Sequence, residues 1–460
     1  MMELKGKKVL VVGLGKSGLA AALFLRRRGA QVTVSDVRSA EALAKDIPAL
    51  LEEGIMVETG GHGLLTFRRQ DLIVVSPGVP LDTPELVQVR SFGLPIIGEL
   101  ELAARFLKGK SVAITGSNGK TTTTALVGEI LQESGFPTLV GGNIGVPVVA
   151  LIDESTDDSW SVLEVSSFQL ETTEQFHPNI AVILNITPDH LDRHGTFENY
   201  ARAKERIFAA HTEEDCLVLN ADNVRAAAAA AHAKGKVFWF SLEHPVPQGA
   251  WVENGAVVFR EAKDAPTEKV IALSNIPLKG EHNVENVLAA VCATRLAGAP
   301  VEAIRRTVEK FKAVEHRLEY VATLNGVEYY NDSKATNVDA TAKAIAAFPG
   351  GIHLILGGKD KNSDYTQLAD LLRTRVRAVY TIGSAAAKIE SQLRGMVPLH
   401  SCETLANAVN AAAGAARPGE VVLLAPACSS FDQFESYEHR GRVFKELVNE
   451  WRGWKVWQNA

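Results

Sequence analysis

Residues 111–122 read SVAITGSNGKTT, and this stretch decides what kind of chain follows. A short apolar, β-branched run closes on Thr115-Gly116-Ser117-Asn118-Gly119-Lys120-Thr121-Thr122, after which Thr, Ala, Leu and Val continue as on a helix. Strand, glycine turn and helix in that order make a βα unit whose turn can wrap phosphates. The string departs from the strict phosphate loop, because Ile114 stands where a glycine is usual. The working parts are all present: backbone amides at a helix N-terminus from Gly116 to Thr122, Lys120 for the β- and γ-phosphates, and the Thr121 hydroxyl for Mg²⁺. The expected ligand is ATP, and a chance G-K-T-T between strand and helix is the alternative.

Upstream, KVLVV from Lys8 reads as a buried strand, Gly13-Leu14-Gly15-Lys16-Ser17-Gly18 as a tight turn, and LAAALFLRRRG as a helix ending at Gly29. QVTVSD follows and ends on Asp36. Glycines that let backbone approach a pyrophosphate, a helix N-terminus and an acidic residue on the next strand suit a dinucleotide or a uridine diphosphate equally; a merely structural turn is the alternative. A helix is predicted near residues 40–53, and LIVVSPG and PIIGE complete a parallel α/β domain over residues 1–98. Downstream, SVLEV, IAVILN and CLVLN read as buried strands, followed by helices at roughly 282–297 and 301–311, giving a larger domain over 99–313. The hairpin-like VEHRLEYVATLNGVEYYNDS opens a third α/β domain over 314–460, with strands in IHLILGG, AVYTIG and EVVLLAPA. The six alanines 226–231 read as plain helix.

Composition agrees. The 460 residues suit about three domains at roughly 150 residues each. Lys plus Arg (48) against Asp plus Glu (54) leaves a net charge of -6, so no general grip on nucleic acid or anionic membrane is expected, and any polyanion must be held locally. Cys216, Cys292, Cys402 and Cys428 form no C-x-x-C pair, which fits a reducing cytoplasm. The basic-then-apolar start is broken by Lys16 and by glycines and lacks a small-residue cleavage site, so it reads as strand and turn rather than signal peptide. No run of uncharged apolar residues is long enough to span a bilayer.

Other strings narrow the reading. GGNIG (141–145), LEVSSFQLE (163–171), NITPDHLDRHG (185–195), KGEHNVENVLAA (279–290), EHRLE (315–319), NDSKATN (331–337), LGGKDK (356–361) and APACSSFDQF (425–434) occur in order along essentially the whole chain. Together with TGSNGKTT they resemble the Mur ligases. The DNPR string of the diaminopimelate- or lysine-adding member is absent, and NDSKATN with PACSSFDQF is similar to the D-glutamate-adding one.

The resemblance implies a three-domain α/β architecture: a Rossmann-like N-terminal domain for a UDP-sugar, a central P-loop ATPase-type domain, and a Rossmann-like C-terminal domain for D-glutamate and ATP. It implies ATP-dependent ligation of D-glutamate to UDP-N-acetylmuramoyl-L-alanine through an acyl phosphate, in a cytoplasmic enzyme that acts on small molecules; a monomer is expected. Closure of the third domain onto the second, with hinges near 98 and 313, is expected. Thr121, Glu164, His190 and Lys204 fall on metal-ligand positions for two Mg²⁺ ions. Glu164 closes a buried strand, where an unpaired carboxylate is costly and a cation fits, a salt bridge being the plainer explanation. His190 would otherwise be a capping residue. Lys204, in YARAKERIF, would by itself be a solvated charge on a helix face; the family carbamylates the lysine there.

By the same transfer, Asn283, Asn286, His316, Arg317 and Asp332 would contact ATP, against a default of capping or surface pairing. Asn143 would bridge the phosphates to the UDP-sugar. Ser17, Asp36, Arg38 and Gly78 would read uracil and pyrophosphate, with Lys16 and Val37 departing from some relatives. Thr336, Lys361, Ser430 and the amide of Phe431 would hold the carboxylates of D-glutamate. Tyr437 would line that pocket, and Asp189 would orient the incoming ammonium. Three other functions compete. An NAD oxidoreductase leaves GKTT unexplained, a nucleotide-binding regulator would form no product, and a folylpolyglutamate synthetase lacks the G-x-G-x-x-G domain.

Overall fold

The computed structural model describes residues 2–312 and 314–458. Ala313, the expected end of the central domain, lies outside the described residues. By packing the chain divides into two units, Met1–Leu273 with Glu285–Val308, and Ser274–Val284 with Glu309–Ala460.

The first unit holds two sheets. One is fully parallel, in the order Met56–Thr59, Gln31–Asp36, Lys8–Val12, Leu72–Val75, Ile96–Gly98. Its inner strands are covered on both faces, which is why LIVV and VLVV read as continuous apolar runs. The chain order reverses at Lys8–Val12, so the glycine turn at 13–18 opens at the switch point where such sheets bind ligands. The helix expected near 40–53 is confined to Ile47–Glu52, because Pro48 in its first turn sets the start.

The other sheet has nine strands in the order Glu268–Ala272, Ala256–Arg260, Gly249–Glu253, Lys236–Ser241, Cys216–Asn220, Ile180–Ile183, Lys110–Thr115, Trp160–Glu164, Thr138–Gly142. It is parallel except for the two antiparallel pairings at the Glu268–Ala272 edge. The alanine run is helical, as Val224–Ala228 and a tighter turn Ala229–His232.

Residues on both sides of Gly98 share one apolar core, in which the Phe24 and Phe106 rings meet edge to face at 5.3 Å. The helix Glu99–Ala104 passes through it and carries two fully buried glutamates. Glu101 is satisfied: Oε2 accepts the amides of Glu174, Gln175 and Phe176, and Oε1 accepts Arg105 Nε. Glu99 is not. Its Oε1 accepts the Val149 amide at 2.8 Å, while Oε2 has no hydrogen-bond partner.

The second unit holds a six-stranded sheet in the order Glu319–Leu324, Val327–Asn331, Val421–Leu424, Ile352–Gly357, Val376–Ile382, Leu399–Glu403. The first pair is the expected hairpin and every other pairing is parallel. Apolar clusters cover both faces, one around Leu354, Tyr365 and Ile345, the other around Val422, Val409 and Phe444. Among the described residues no helix is long and apolar enough to cross a membrane.

Burial pushes the Glu99 carboxyl up to about 7, against the pull of the Val149 and Val148 amides. A carboxyl raised by folding holds its proton better in the native state, so stability is full below the unfolded value and falls as pH rises through the folded one. Between pH 4 and 7 the wild type is expected to lose on the order of 3 kcal/mol from this group. Glu99→Gln should flatten that slope, matching wild type near pH 4 and exceeding it at pH 8 in urea titrations.

Candidate active site

The strand Lys110–Thr115 delivers the phosphate-type loop, and the helix Lys120–Glu133 begins from Gly119, whose φ of +85° suits glycine. A β-carbon at Gly119 would also stand 2.2 Å from Asn286 Oδ1. Asn185 ties the loop down from the neighbouring segment: its Oδ1 accepts the Asn118 amide at 2.9 Å, and its carbonyl accepts the Ser117 amide. The Ser117 hydroxyl donates to the Thr187 carbonyl and meets Tyr200 OH at 3.0 Å. Sequence reasoning passed over Asn185 and Tyr200, although both lie in strings quoted for other residues.

Strand register gathers the next group. Glu164 pairs with Ile114 on one side and Gly142 on the other. Thr121 Oγ1 donates to Glu164 Oε2 and Asn143 Nδ2 to Oε1, each at 2.8 Å. Glu164 is therefore a buried carboxylate spanned by two neutral donors rather than a salt-bridged one. Oxygen donors of this kind fit a hard divalent cation.

Lys204 is buried, contrary to the helix-surface expectation, because its face of Phe197–Glu205 packs inward with Tyr200 and Ala201. Its Nζ donates to the Gly116 carbonyl at 2.8 Å and lies 4.6 Å above the Tyr200 ring. Lys120 Nζ donates to the same carbonyl at 2.8 Å and to that of Ser117 at 2.9 Å. Two ammonium groups thus converge on one oxygen. Burial first, and the Lys120 charge second, push the Lys204 ammonium well below the usual lysine range, while Asp189 and Glu164 pull the other way.

His190 starts the short helix Leu191–His194 with a left-handed φ of 52° and makes no side-chain cap. Its ring meets Phe168 edge-on at 4.9 Å and stands 3.6 Å from Asp189 Oδ2.

At the first sheet, Asp36 and Arg38 close the glycine turn. Asp36 Oδ2 accepts the Leu14 amide at 2.6 Å, and Arg38 donates to both carboxylate oxygens and to the Leu14 carbonyl. Burial opposes ionisation of Asp36, but Arg38 and the amides outweigh it and hold the carboxyl down at about 2. The glycines differ in kind. A β-carbon at Gly18 would stand 1.9 Å from the Gly13 carbonyl, so the fold demands glycine there. Gly15 and Gly78 would meet nothing, so no protein neighbour requires their bareness. Ser17 is half-buried in the first turn of Lys16–Arg27.

In the second unit, Asn331 Nδ2 reaches His316 Nδ1 at 2.9 Å, and Asp332 accepts the Leu318 amide at 3.2 Å. Burial pushes Asp332 up to about 6, against Arg317, the Leu318 amide and Lys334. Arg317 Nε is buried with no hydrogen-bond partner, a donor suited to an anionic ligand. Asn283 Nδ2 donates to the Lys279 carbonyl, and this end of Glu281–Leu296 counts with the second unit while Asn286 counts with the first.

The loops carrying Thr336, Lys361 and Ser430 leave three adjacent strand ends and are pinned together by Ala427 N to Ala335 O at 2.8 Å and by the Lys359–Ser429 bridge. Ser430 is buried and Phe431 is 68% exposed. Tyr437 faces His316 and Lys334 at 6.3 and 5.2 Å. Sequence reasoning missed Arg440, a fully buried guanidinium that donates to the Ser333 hydroxyl and carbonyl and to the carbonyls of Cys428 and Ser429. Only its place on the same helix face as Tyr437 could have signalled it.

Family descriptions match in three stretches: Mur ligase MurD-like, N-terminal domain, over 7–98; Mur ligase middle domain, over 114–294; and Mur ligase, glutamate ligase domain, over 316–428. The chain is 73% identical over 459 residues to the UDP-N-acetylmuramoylalanine–D-glutamate ligase of Acidobacterium capsulatum, covering 100% of both. It is 60% identical over 449 residues to the ligase of that name from Koribacter versatilis, covering 98% of each. Among solved structures, the UDP-N-acetylmuramate-alanine ligase MurC of Thermotoga maritima shares the fold with a TM-score of 0.61 at 21% identity, over 96% of this chain and 99% of that one.

The glycine contrast is testable. Gly18→Ala should cost about 2–4 kcal/mol of stability through overpacking. Gly15→Ala, whose β-carbon meets open space at the N-cap of Lys16–Arg27, should lower the melting temperature far less than Gly18→Ala and weaken UDP-sugar binding at least about tenfold by calorimetry.

Proposed function

The chain belongs to the Mur ligase family, and from that premise we propose that it joins D-glutamate to UDP-N-acetylmuramoyl-L-alanine in peptidoglycan precursor synthesis, converting ATP to ADP and phosphate. The observation that carries this reading is the meeting of Lys120, Lys204, Thr121 and Glu164 around the Gly116 turn, in a chain 73% identical to a relative of that name. The alanyl carboxylate attacks the γ-phosphorus and ADP leaves, giving an acyl phosphate. The amine of D-glutamate then attacks the carbonyl carbon, phosphate departs and the nitrogen loses a proton.

Gly116 to Thr122 cradle the phosphates, and Lys120 exchanges its two carbonyl acceptors for the β- and γ-oxygens. Thr121, Glu164, His190 and Lys204 would hold Mg²⁺, two ions being expected. Bound Mg²⁺ supplies the positive charge that lets a carboxylate approach a triphosphate. A cationic lysine does not belong in such a donor set, but a buried lysine is driven towards its neutral amine, the form that attacks CO₂. The nitrogen–carbon bond forms as the amine proton leaves to solvent, and the product is a carbamate anion with two oxygen donors. Asn143 would bridge to the UDP-sugar, while Ser17, Asp36, Arg38 and Gly78 would line the uridine diphosphate site. Within the second unit, Asn283, His316, Arg317 and Asp332 serve the nucleotide, as does Asn286 in the first. Thr336, Lys361, Ser430, the Phe431 amide and Tyr437 serve D-glutamate, with Asp189 as the candidate partner of its ammonium.

Phosphate release from Mg-ATP and UDP-N-acetylmuramoyl-L-alanine should require D-glutamate and fail with L-glutamate, D-alanine, L-lysine and diaminopimelate. Release with another amino acid would reassign the second unit's pocket, and none with any would overturn the ligase reading. Lys204→Ala should lower kcat at least about 100-fold and be partly restored by added short carboxylic acids. The wild type incubated with ¹³C-bicarbonate should show a carbamate carbon signal that the variant lacks; its absence would reject the modification.

A further inference from the structure

Arg193 takes no part in the roles assigned above, yet its guanidinium joins the two ligand-facing regions of the first unit. Nη2 donates to the Val79 carbonyl at 2.9 Å and pairs with Glu171 Oε2 at 3.2 Å. The planar group also lies 5.1 Å over the Phe168 ring, which in turn meets the ring of His190 edge-on at 4.9 Å and stacks on that of His194 at 5.4 Å. His194 Nδ1 meets Glu171 Oε1 at 3.2 Å, so consecutive residues of Leu191–His194 end on the two oxygens of one carboxylate. That clamp holds the turn in which His190 keeps its left-handed backbone.

Val79 belongs to the loop after Leu72–Val75 and presses on the glycine turn. A β-carbon at Gly13 would stand 2.7 Å from Val79 Cγ2, and Ser76 Oγ donates to the Gly13 carbonyl at 2.6 Å. Packed contacts therefore run unbroken from the turn at 13–18 through Val79, Arg193 and Phe168 to His190. A guanidinium can bond, pair and lie flat on a ring at once because its donors spread from one plane, whereas a lysine ammonium is a compact point charge that cannot hold all three partners from one plane.

We propose that Arg193 is a positioning residue through which filling of the glycine turn by a uridine diphosphate ligand fixes the ring of His190 for the metal. This rests on the ligase reading. The consequence is reciprocal coupling: UDP-sugar tightens divalent metal binding, and metal tightens UDP-sugar by the same factor.

The test measures Mn²⁺ affinity by electron paramagnetic resonance with a non-hydrolysable ATP analogue, with and without UDP-N-acetylmuramoyl-L-alanine. In the wild type the UDP-sugar should tighten Mn²⁺ about tenfold. In Arg193→Lys the factor should fall below about twofold, with Mn²⁺ affinity in the absence of UDP-sugar and the melting temperature both near wild type. Arg193→Lys is chosen over Arg193→Ala because it keeps charge and bulk, and Glu171→Gln provides a second route to the same loss. A wild type without coupling, or variants that keep it while losing only thermal stability, would overturn the inference. Phosphate release by the wild type, run in parallel, separates the two failures: D-glutamate-dependent release with coupling unchanged in the variants rejects the role of Arg193 alone, and no release rejects the ligase reading and this inference with it.

Discussion

Three parallel strands in one register set Ile114, Glu164 and Gly142 side by side, and the chemistry of the first unit follows from that alignment. Because the register is fixed by hydrogen bonds along Lys110–Thr115, Trp160–Glu164 and Thr138–Gly142, a slip of one residue would turn Glu164 to the opposite face. In the observed register its carboxylate lies between the first turn of one helix and the loop after another strand, so Thr121 and Asn143 reach it from two sides. Gly142 is part of the same constraint, since a β-carbon there would stand 2.3 Å from the Glu164 carbonyl.

The turns at 13–18 and 115–122 were legible because each needs glycine for a local reason and lies between elements of strong periodicity. Less could be read of the three strands from Gly249 to Ala272, whose short segments are separated by polar residues and whose pairing is decided by the edge they extend. The division at Gly98 illustrates another limit. A change of motif marks a change of function in sequence, but the core around Phe24 and Phe106 runs across it, because Glu99–Ala104 buries its residues among elements from both sides.

Lys204 and Arg440 show why the candidate site was only partly legible. Each is a long cation on a helix, and sequence says nothing of which face turns inward when neighbours are small or aromatic. Both are buried, and both end on backbone carbonyls. Arg440 joins the loops at Ser333 and at Cys428–Ser429, and the Lys359–Ser429 bridge ties in the loop after Ile352–Gly357, so the loops from three adjacent strand ends of the second unit are held together. The family resemblance singled out Lys361 and Ser430 as candidates, while the backbone bonds that pin their loops became visible only in three dimensions.

The knot of Leu14, Asp36 and Arg38 has a further consequence. Both oxygens of Asp36 already carry two donors each, and the turn is closed by the protein's own bonds. A loop shaped in this way has little conformational entropy of its own left to lose when a ligand docks, so the turn itself adds no ordering step to association. Discrimination among nucleotides that fit the turn then falls chiefly on how long each one stays.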